Sequence, residues 1–299
     1  MSGLLGMNFS SGQWLVSGFP DEASLAMDRQ IAVTLEAGFK HLDLRNLESG
    51  NIVDLKVKEA KTIAKAIEDA GLSVNMFGSP IGKIDIADDF EIDLERLSRL
   101  GQLADVFGCR GVRVFSYFNA HGGDDAKWRR ITLERLGELK RRAIELGLYL
   151  FHENEHGIYG SSCKRNIDIG RELRDGQHFR MIFDFDNYNQ LGEDVFECWQ
   201  NLAEMTDAFH MKESDANCQH VPFGTGATRS LDILNDAKAR KWRGCLSLEP
   251  HLSRSQAVLA TGPSGQANQT LSDLSDEALF GVGASAAMKV LQAVGVELV

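Results

Sequence analysis

The sequence predicts a single α/β domain, a (β/α)8 TIM barrel whose core spans about residues 13–295. Three observations carry this. Short apolar, β-like runs alternate eight times with longer stretches whose apolar residues recur at helical spacing, and crossover helices of that kind return every strand in the same direction. No linker divides the 299 residues, which with 43% hydrophobic content and only 5 prolines suit one decorated barrel of about 250 residues. No GxGxxG turn follows the first run, so the signature of the competing open dinucleotide-binding sheet is missing.

Taken in order, QWLVSG at 13–18 reads as the first strand, and Pro20-Asp21-Glu22 gives a helix-start signal for a segment ending near Ala37. HLDLR at 41–45 alternates strictly, a period-two strand. A helix fits Leu55 to Ala70, with Gly71 as its stop. SVNMFGSP forms the third strand, ended by Pro80, and Gly82-Lys83 lies in the loop beyond it. Leu94, Leu97, Leu100 and Leu103 mark a helix within 88–107, GVRVFSYF at 111–118 is strand four, and a helix covers Thr132 to Leu146. LYLFHE is strand five, and the remaining helices cover 167–173, 193–205, 230–240 and 272–294.

The formal charge of −11 repels polyanions, which argues against nucleic acid or an anionic membrane surface as a partner. Five cysteines without a CxxC pair suit a reducing compartment. The opening stretch MSGLLGMNFSSGQW lacks a charged region and a long apolar run, so no signal peptide or membrane anchor is expected and the location reads as cytoplasmic.

Four apolar runs end in metal-competent side chains: LYLFHE at Glu153, RMIFD at Asp184, AFH at His210 and CLSLE at Glu249. Any one of them alone reads equally as a helix cap, a salt-bridge partner or a core histidine. Together they would close strands five to eight at the C-terminal mouth, where barrel enzymes gather their chemistry. Parity puts Cys245, Ser247 and Glu249 inside the barrel and groups His210 with Lys212. Buried carboxylates need partners, and one divalent cation meets that need. Oxygen-rich ligands favour Mn, Mg or Co, with Zn admitted by the imidazole. Glu155 and Asp186 share the same parities and stay open as alternatives.

The runs ENE at 153–155, DFDN at 184–187, HMKESD at 210–215 and LSLEPH at 246–251 resemble the sugar phosphate isomerase/epimerase superfamily of xylose isomerase-like barrels. Ketose 3-epimerases, inosose dehydratases and endonuclease IV are related to it. The likeness extends forward to HLDLRN and SPIGKIDI and covers roughly residues 40 to 252. The resemblance implies that Glu153, Asp184, His210 and Glu249 hold the metal and that Glu153 and Glu249 exchange the substrate proton. Where ketose 3-epimerases carry a histidine three residues after the aspartate, this chain has Asn187, and the arginine they carry after the seventh-strand histidine is missing from ESDANCQ. Both departures point away from a simple ketose 3-epimerase.

The chemistry expected of such a site is proton removal next to a carbonyl, with the enediolate charge stabilised electrostatically and a carboxylate on either face to remove and return the proton. Arg45, Lys83, Arg113 and Lys212 would face the same mouth and, with Asn187 and Glu155, form the expected substrate-binding set. In an acidic chain this points to an anionic sugar, an acid or a phosphate. Ion pairing with the carboxylates is the alternative. The leading expectation is a metal-dependent isomerase or epimerase; the alternatives are a dehydratase using the same enolate, an endonuclease IV-like hydrolase and a non-catalytic sugar-binding barrel. A homodimer or homotetramer is expected, with the apolar carboxyl terminus packing on its own barrel.

Overall fold

The computed structural model describes residues 13–262 and 265–299; the first twelve residues, on which most of the leader expectation rests, lie outside the described residues. Eight parallel strands form the barrel: β1 Gln13–Gly18, β2 His41–Leu44, β3 Ser73–Phe77, β4 Gly111–Val114, β5 Tyr149–Glu153, β6 Phe179–Asp184, β7 Thr206–Met211 and β8 Cys245–Leu248. They lie in sequence order from β2 to β8, and β8 pairs with β1, Leu15 opposite Cys245 and Ser17 opposite Ser247. The seam between β1 and β2 is closed by side chains, Ser17 Oγ donating to Asp43 Oδ2 at 2.6 Å.

The crossover helices are α1 Met27–Glu36, α2 Val57–Asp69, α3 Glu91–Phe107, α4 Asp125–Glu145, α5 Cys163–Leu173, α6 Val195–Leu202, α7 Ser230–Ala239 and α8 Asp276–Val294. One layer of core lies between strands and helices. Leu246 and Leu248 join it from β8, and Phe280, Ala284, Ala287 and Leu291 from α8, so the carboxyl-terminal helix packs on its own barrel. A second apolar cluster fills the inside: Leu15, Met76, Tyr149, Phe151, Ile182, Ala208 and Cys245. No helix among the described residues is long and apolar enough to cross a membrane.

Element boundaries differ from the sequence expectation where local hydrogen bonds decide them. Strand β4 ends at Val114 because the amides of Phe115, Tyr117 and Phe118 turn to the carbonyls of Ile81, Gly82 and Ile84, at 2.8, 2.8 and 3.0 Å. Tyr117 then sits at φ +62°, outside strand geometry. Helix α4 starts at Asp125, well before Thr132, because Asp124 caps it by accepting from the Ala126 amide at 2.9 Å. Pro20-Asp21-Glu22 forms only a 3-10 turn, and α1 starts later, at Met27. Gly82, at φ +84°, lies so close to Phe115 that a Cβ would meet its carbonyl oxygen at 2.2 Å, which fixes the loop carrying Lys83 against β4.

Candidate active site at the C-terminal mouth

Period-two alternation delivers the site. Strand β5 turns Tyr149 and Phe151 into the inner apolar cluster and Glu153 into the mouth; β7 does the same with Ala208 and His210. Glu153 and Asp184 are the last residues of β5 and β6, His210 lies one residue before the end of β7, and Glu249 follows β8 directly. All four are buried, and each offers one ligand-competent atom within 4.8 Å of the others.

The internal contacts are specific. His210 Nδ1 lies 2.8 Å from Glu153 Oε1 and 3.5 Å from Glu249 Oε2. Asp184 uses one oxygen as a helix cap, Oδ1 accepting the Asn187 amide at 2.8 Å, and aims the other at the site. The cap thus occupies one oxygen of this strand-end aspartate and leaves the other turned to the quartet. Asn154 fixes this corner by accepting the Asp184 amide at 2.8 Å and donating to its carbonyl at 3.0 Å.

Three buried atoms of the quartet have no hydrogen bond: Glu153 Oε2, Asp184 Oδ2 and His210 Nε2. The two carboxylate oxygens meet only ion-pair contacts, Arg113 Nη1 at 3.2 Å and Lys212 Nζ at 3.1 Å. Unsatisfied buried ligand atoms on converging carboxylates are what a cation would satisfy, so these residues fit a divalent metal. Oxygen-rich donors with one imidazole suit Mn, Mg, Co or Zn.

The expected basic residues divide into two groups. Arg45, Arg113 and Lys212 are buried against the quartet. Arg45 bonds Glu249 through Nη1 while Asp21 grips its other face at 2.8 and 3.0 Å. Arg113 Nη1 stands 3.6 Å from Glu249, and Lys212 Nζ 3.8 Å from it. Burial works against a charged Lys212, but Asp184 and Glu249 outweigh it and hold the ammonium protonated. Lys83 belongs to the outer group. It pairs with Glu155 Oε2 at 2.8 Å, donates to the Thr261 carbonyl at 2.9 Å and lies 4.5 Å above the Phe115 ring. Asn187 spends its amide on the Asn154 carbonyl at 2.8 Å. Asp186, the alternative to Asp184, faces His220 at 3.3 Å instead of the quartet.

Sequence reasoning assigned no site role to Glu22 or His251. The first was read only as a helix-start signal and the second only as the end of the LSLEPH run. Both are buried beside Glu249, His251 Nε2 being 3.5 Å from Glu249 Oε1 and 3.5 Å from Glu22 Oε1. Burial, only partly offset by Arg45, pushes the Glu22 carboxyl up to about 8.

The family model described as xylose isomerase-like TIM barrel matches residues 31–272. No curated protein matches the chain by sequence. Among solved structures, the chain is similar to the 3-keto-D-glucoside 4-epimerase of E. coli, with TM-score 0.65 and 15% identity over 93% of this chain and 100% of that one. It is similar also to the probable 3-DHS dehydratase of petrobactin synthesis from Bacillus anthracis, with TM-score 0.66 and 16% identity over 90% and 98% of the two chains. The IOLI protein with a binding zinc atom superposes with TM-score 0.71 and 11% identity, over 94% of this chain and 99% of that one. At such identities the likeness is one of fold.

Proposed function

Because the chain belongs to the xylose isomerase-like TIM barrel family, we propose that it is a metal-dependent isomerase or epimerase of a sugar acid or sugar phosphate. The observation that carries this is the convergence of Glu153, Asp184, His210 and Glu249 within 4.8 Å at the mouth. In this reading those four residues hold one divalent ion, which supplies positive charge next to the oxygens of the substrate.

The chain's own residues then have distinct tasks. Glu153 and Glu249 come from β5 and from the residue after β8, and both touch His210 Nδ1. They act as the pair that removes and returns a proton at the carbon beside the carbonyl. Arg113 lies against both, and although burial opposes their charge, His210 and Arg113 beside Glu153 and Lys212 beside Glu249 hold them ionised, ready to accept that proton. Lys212 supplies a buried ammonium for the charge of the substrate, and the dryness of the mouth strengthens that interaction.

A dehydratase reading stands beside this one, because the same deprotonated intermediate can expel a β-hydroxyl and because the fold is shared with a probable dehydratase. One screen separates the two. Sugar phosphates, sugar acids and neutral ketoses are incubated with enzyme and Mn in heavy water. Deuterium at a stereocentre with no loss of water supports epimerisation; an unsaturated or keto product one water lighter supports elimination. Lys212→Met should weaken use of the anionic substrates by about 1.5 to 3 kcal/mol, the scale of a charge-assisted hydrogen bond, relative to neutral analogues. Exchange confined to neutral ketoses and untouched by this substitution would sink the anionic substrate. Metal binding without proton exchange across the whole panel would favour a non-catalytic sugar-binding barrel.

A further inference from the structure

Glu249 faces two groups of ligand-competent atoms. Its Oε2 looks toward His210 and Lys212, at 3.5 and 3.8 Å. Its Oε1 looks the other way, 3.5 Å from His251 Nε2, which is itself 3.5 Å from Glu22 Oε1. Glu22, Glu249 and His251 each bring one such atom within 4.8 Å of the others, and none of the three is more than 3% exposed.

Neither ring nitrogen of His251 has a hydrogen-bond partner, and neither does Glu22 Oε1. A buried imidazole with both nitrogens unmet is costly, and the backbone does nothing to relieve it. The His251 main chain is instead committed to holding the ring there. Its amide donates to Glu22 Oε2 at 2.8 Å, and its φ of +49° is one a non-glycine residue adopts only under constraint.

We infer that Glu22, His251 and Oε1 of Glu249 form a second divalent-cation site, joined to the first through the Glu249 carboxylate. The inference rests on the metal reading of the quartet. One imidazole nitrogen with two carboxylate oxygens suits Mn, Co or Zn better than Ca. Arg45 is the competing cation, since it contacts Glu249 Oε1 and stands 3.5 Å from Glu22 Oε1. Its bidentate grip on Asp21 lets it give up the Glu249 contact without losing its anchor.

Charge sets the order of filling. Asp21, Glu22, Glu153, Asp184 and Glu249 face Arg45, Arg113 and Lys212, all buried together. Burial holds the Glu22 carboxyl up at about 8, so near neutral pH the first divalent ion already more than balances the remaining carboxylates, and a second must also displace the Glu22 proton. The second site is therefore the weaker, and it fills further once an anion occupies the mouth.

The test is a titration of the intact protein with MnCl2 alone, counting bound metal at equilibrium and following the Mn paramagnetic resonance signal. The expected result is two equivalents, the second bound at least tenfold more weakly, with the signal broadened by a neighbouring ion as the second enters. Glu22→Gln and His251→Ala should each remove the weak equivalent and keep the tight one; His210→Ala should remove the tight one. If either of the first two variants fails to fold, by circular dichroism, the other carries the comparison. A single equivalent that is lost in His210→Ala and kept in His251→Ala would overturn the second site and leave the quartet standing. No binding at all by the wild-type chain would overturn both.

Discussion

The two ends of the barrel interior are built from the same strands and obey opposite rules. At the amino-terminal end, Leu15, Tyr149, Phe151, Ile182, Ala208 and Cys245 form an apolar plug. One or two alternations further along, the same strands carry Glu153, Asp184, His210 and, just past β8, Glu249. The plug leaves no polar debt apart from the hydroxyl of Tyr149, whereas the mouth concentrates buried carboxylates, imidazoles and orphaned ligand atoms. Stability is stored at one end and spent at the other, which is how a barrel keeps a costly site in one rigid place.

The largest expected effect breaks the mouth and spares the plug. Glu153→Gln and Glu249→Gln should each lower proton exchange by about 10^2- to 10^4-fold, the range of a lost general acid or base. Circular dichroism should show the fold retained. Retention of full exchange in both variants would remove these glutamates from the chemistry. Asp184→Asn and His210→Ala should lower the metal content found by elemental analysis; undiminished metal in both would refute the ligand set.

The converse substitution comes next. Phe151→Ala empties ring volume from the plug and should cost about 3–5 kcal/mol of unfolding free energy. Metal content per folded chain should not change. A variant that unfolds normally but loses metal would show that the two ends are coupled and not merely adjacent.

The contrast also explains what was legible in the sequence. Strand ends such as Phe151-His152-Glu153 and Ser247-Leu248-Glu249 announce themselves because period-two alternation forces the carboxylate to the same side as the inner residues before it. Glu22 carried no such mark. It was read as the start of a helix and instead lies in a 3-10 turn after β1, and its meeting with His251, 229 positions away, is a product of ring closure between β1 and β8. Lys83 and Glu155 were both legible as mouth residues, yet nothing local says that they neutralise each other. Strand β4 was read too long because its apolar pattern continues through Phe115 while its hydrogen bonds leave for the loop after β3.

Between these effects in size lies an acid sensitivity outside the mouth. His152 sits on β5 beside Glu153 but is buried against Phe179, with its rings 6.3 Å apart, and burial lowers it from 6.5 to about 3. A histidine depressed on folding contributes stability that is fully present above its unfolded value and is lost as pH falls through the folded one. From pH 6.5 downward, metal-free protein should lose up to about 1.4 kcal/mol per pH unit from this residue. Thermal melts at pH 7, 6 and 5 would measure it, and His152→Phe, which keeps a ring in the slot, should flatten the slope. An unchanged slope in that variant would assign the acid loss to other groups.

The smallest expected effect decides whether Lys83 belongs to the site or to its rim. Its ammonium joins three loops, meeting Glu155 after β5 and the Thr261 carbonyl after β8 from its own place after β3. The pair is only 17% and 13% exposed, so it outweighs an ordinary surface bridge, yet it remains near enough to water for a contribution of about 1 kcal/mol. Lys83→Met keeps an apolar stem over the Phe115 ring and removes only the charge. If Lys83 ties the loops, kcat/KM should fall less than about tenfold, equally for anionic and neutral substrates, because what changes is the order of the mouth and not recognition of charge. Lys212→Met should do the opposite and discriminate between them. Steady-state kinetics of the two variants on one matched acid and neutral pair would settle the contrast, and a loss confined to the acid in Lys83→Met would move that residue from the rim into the substrate site.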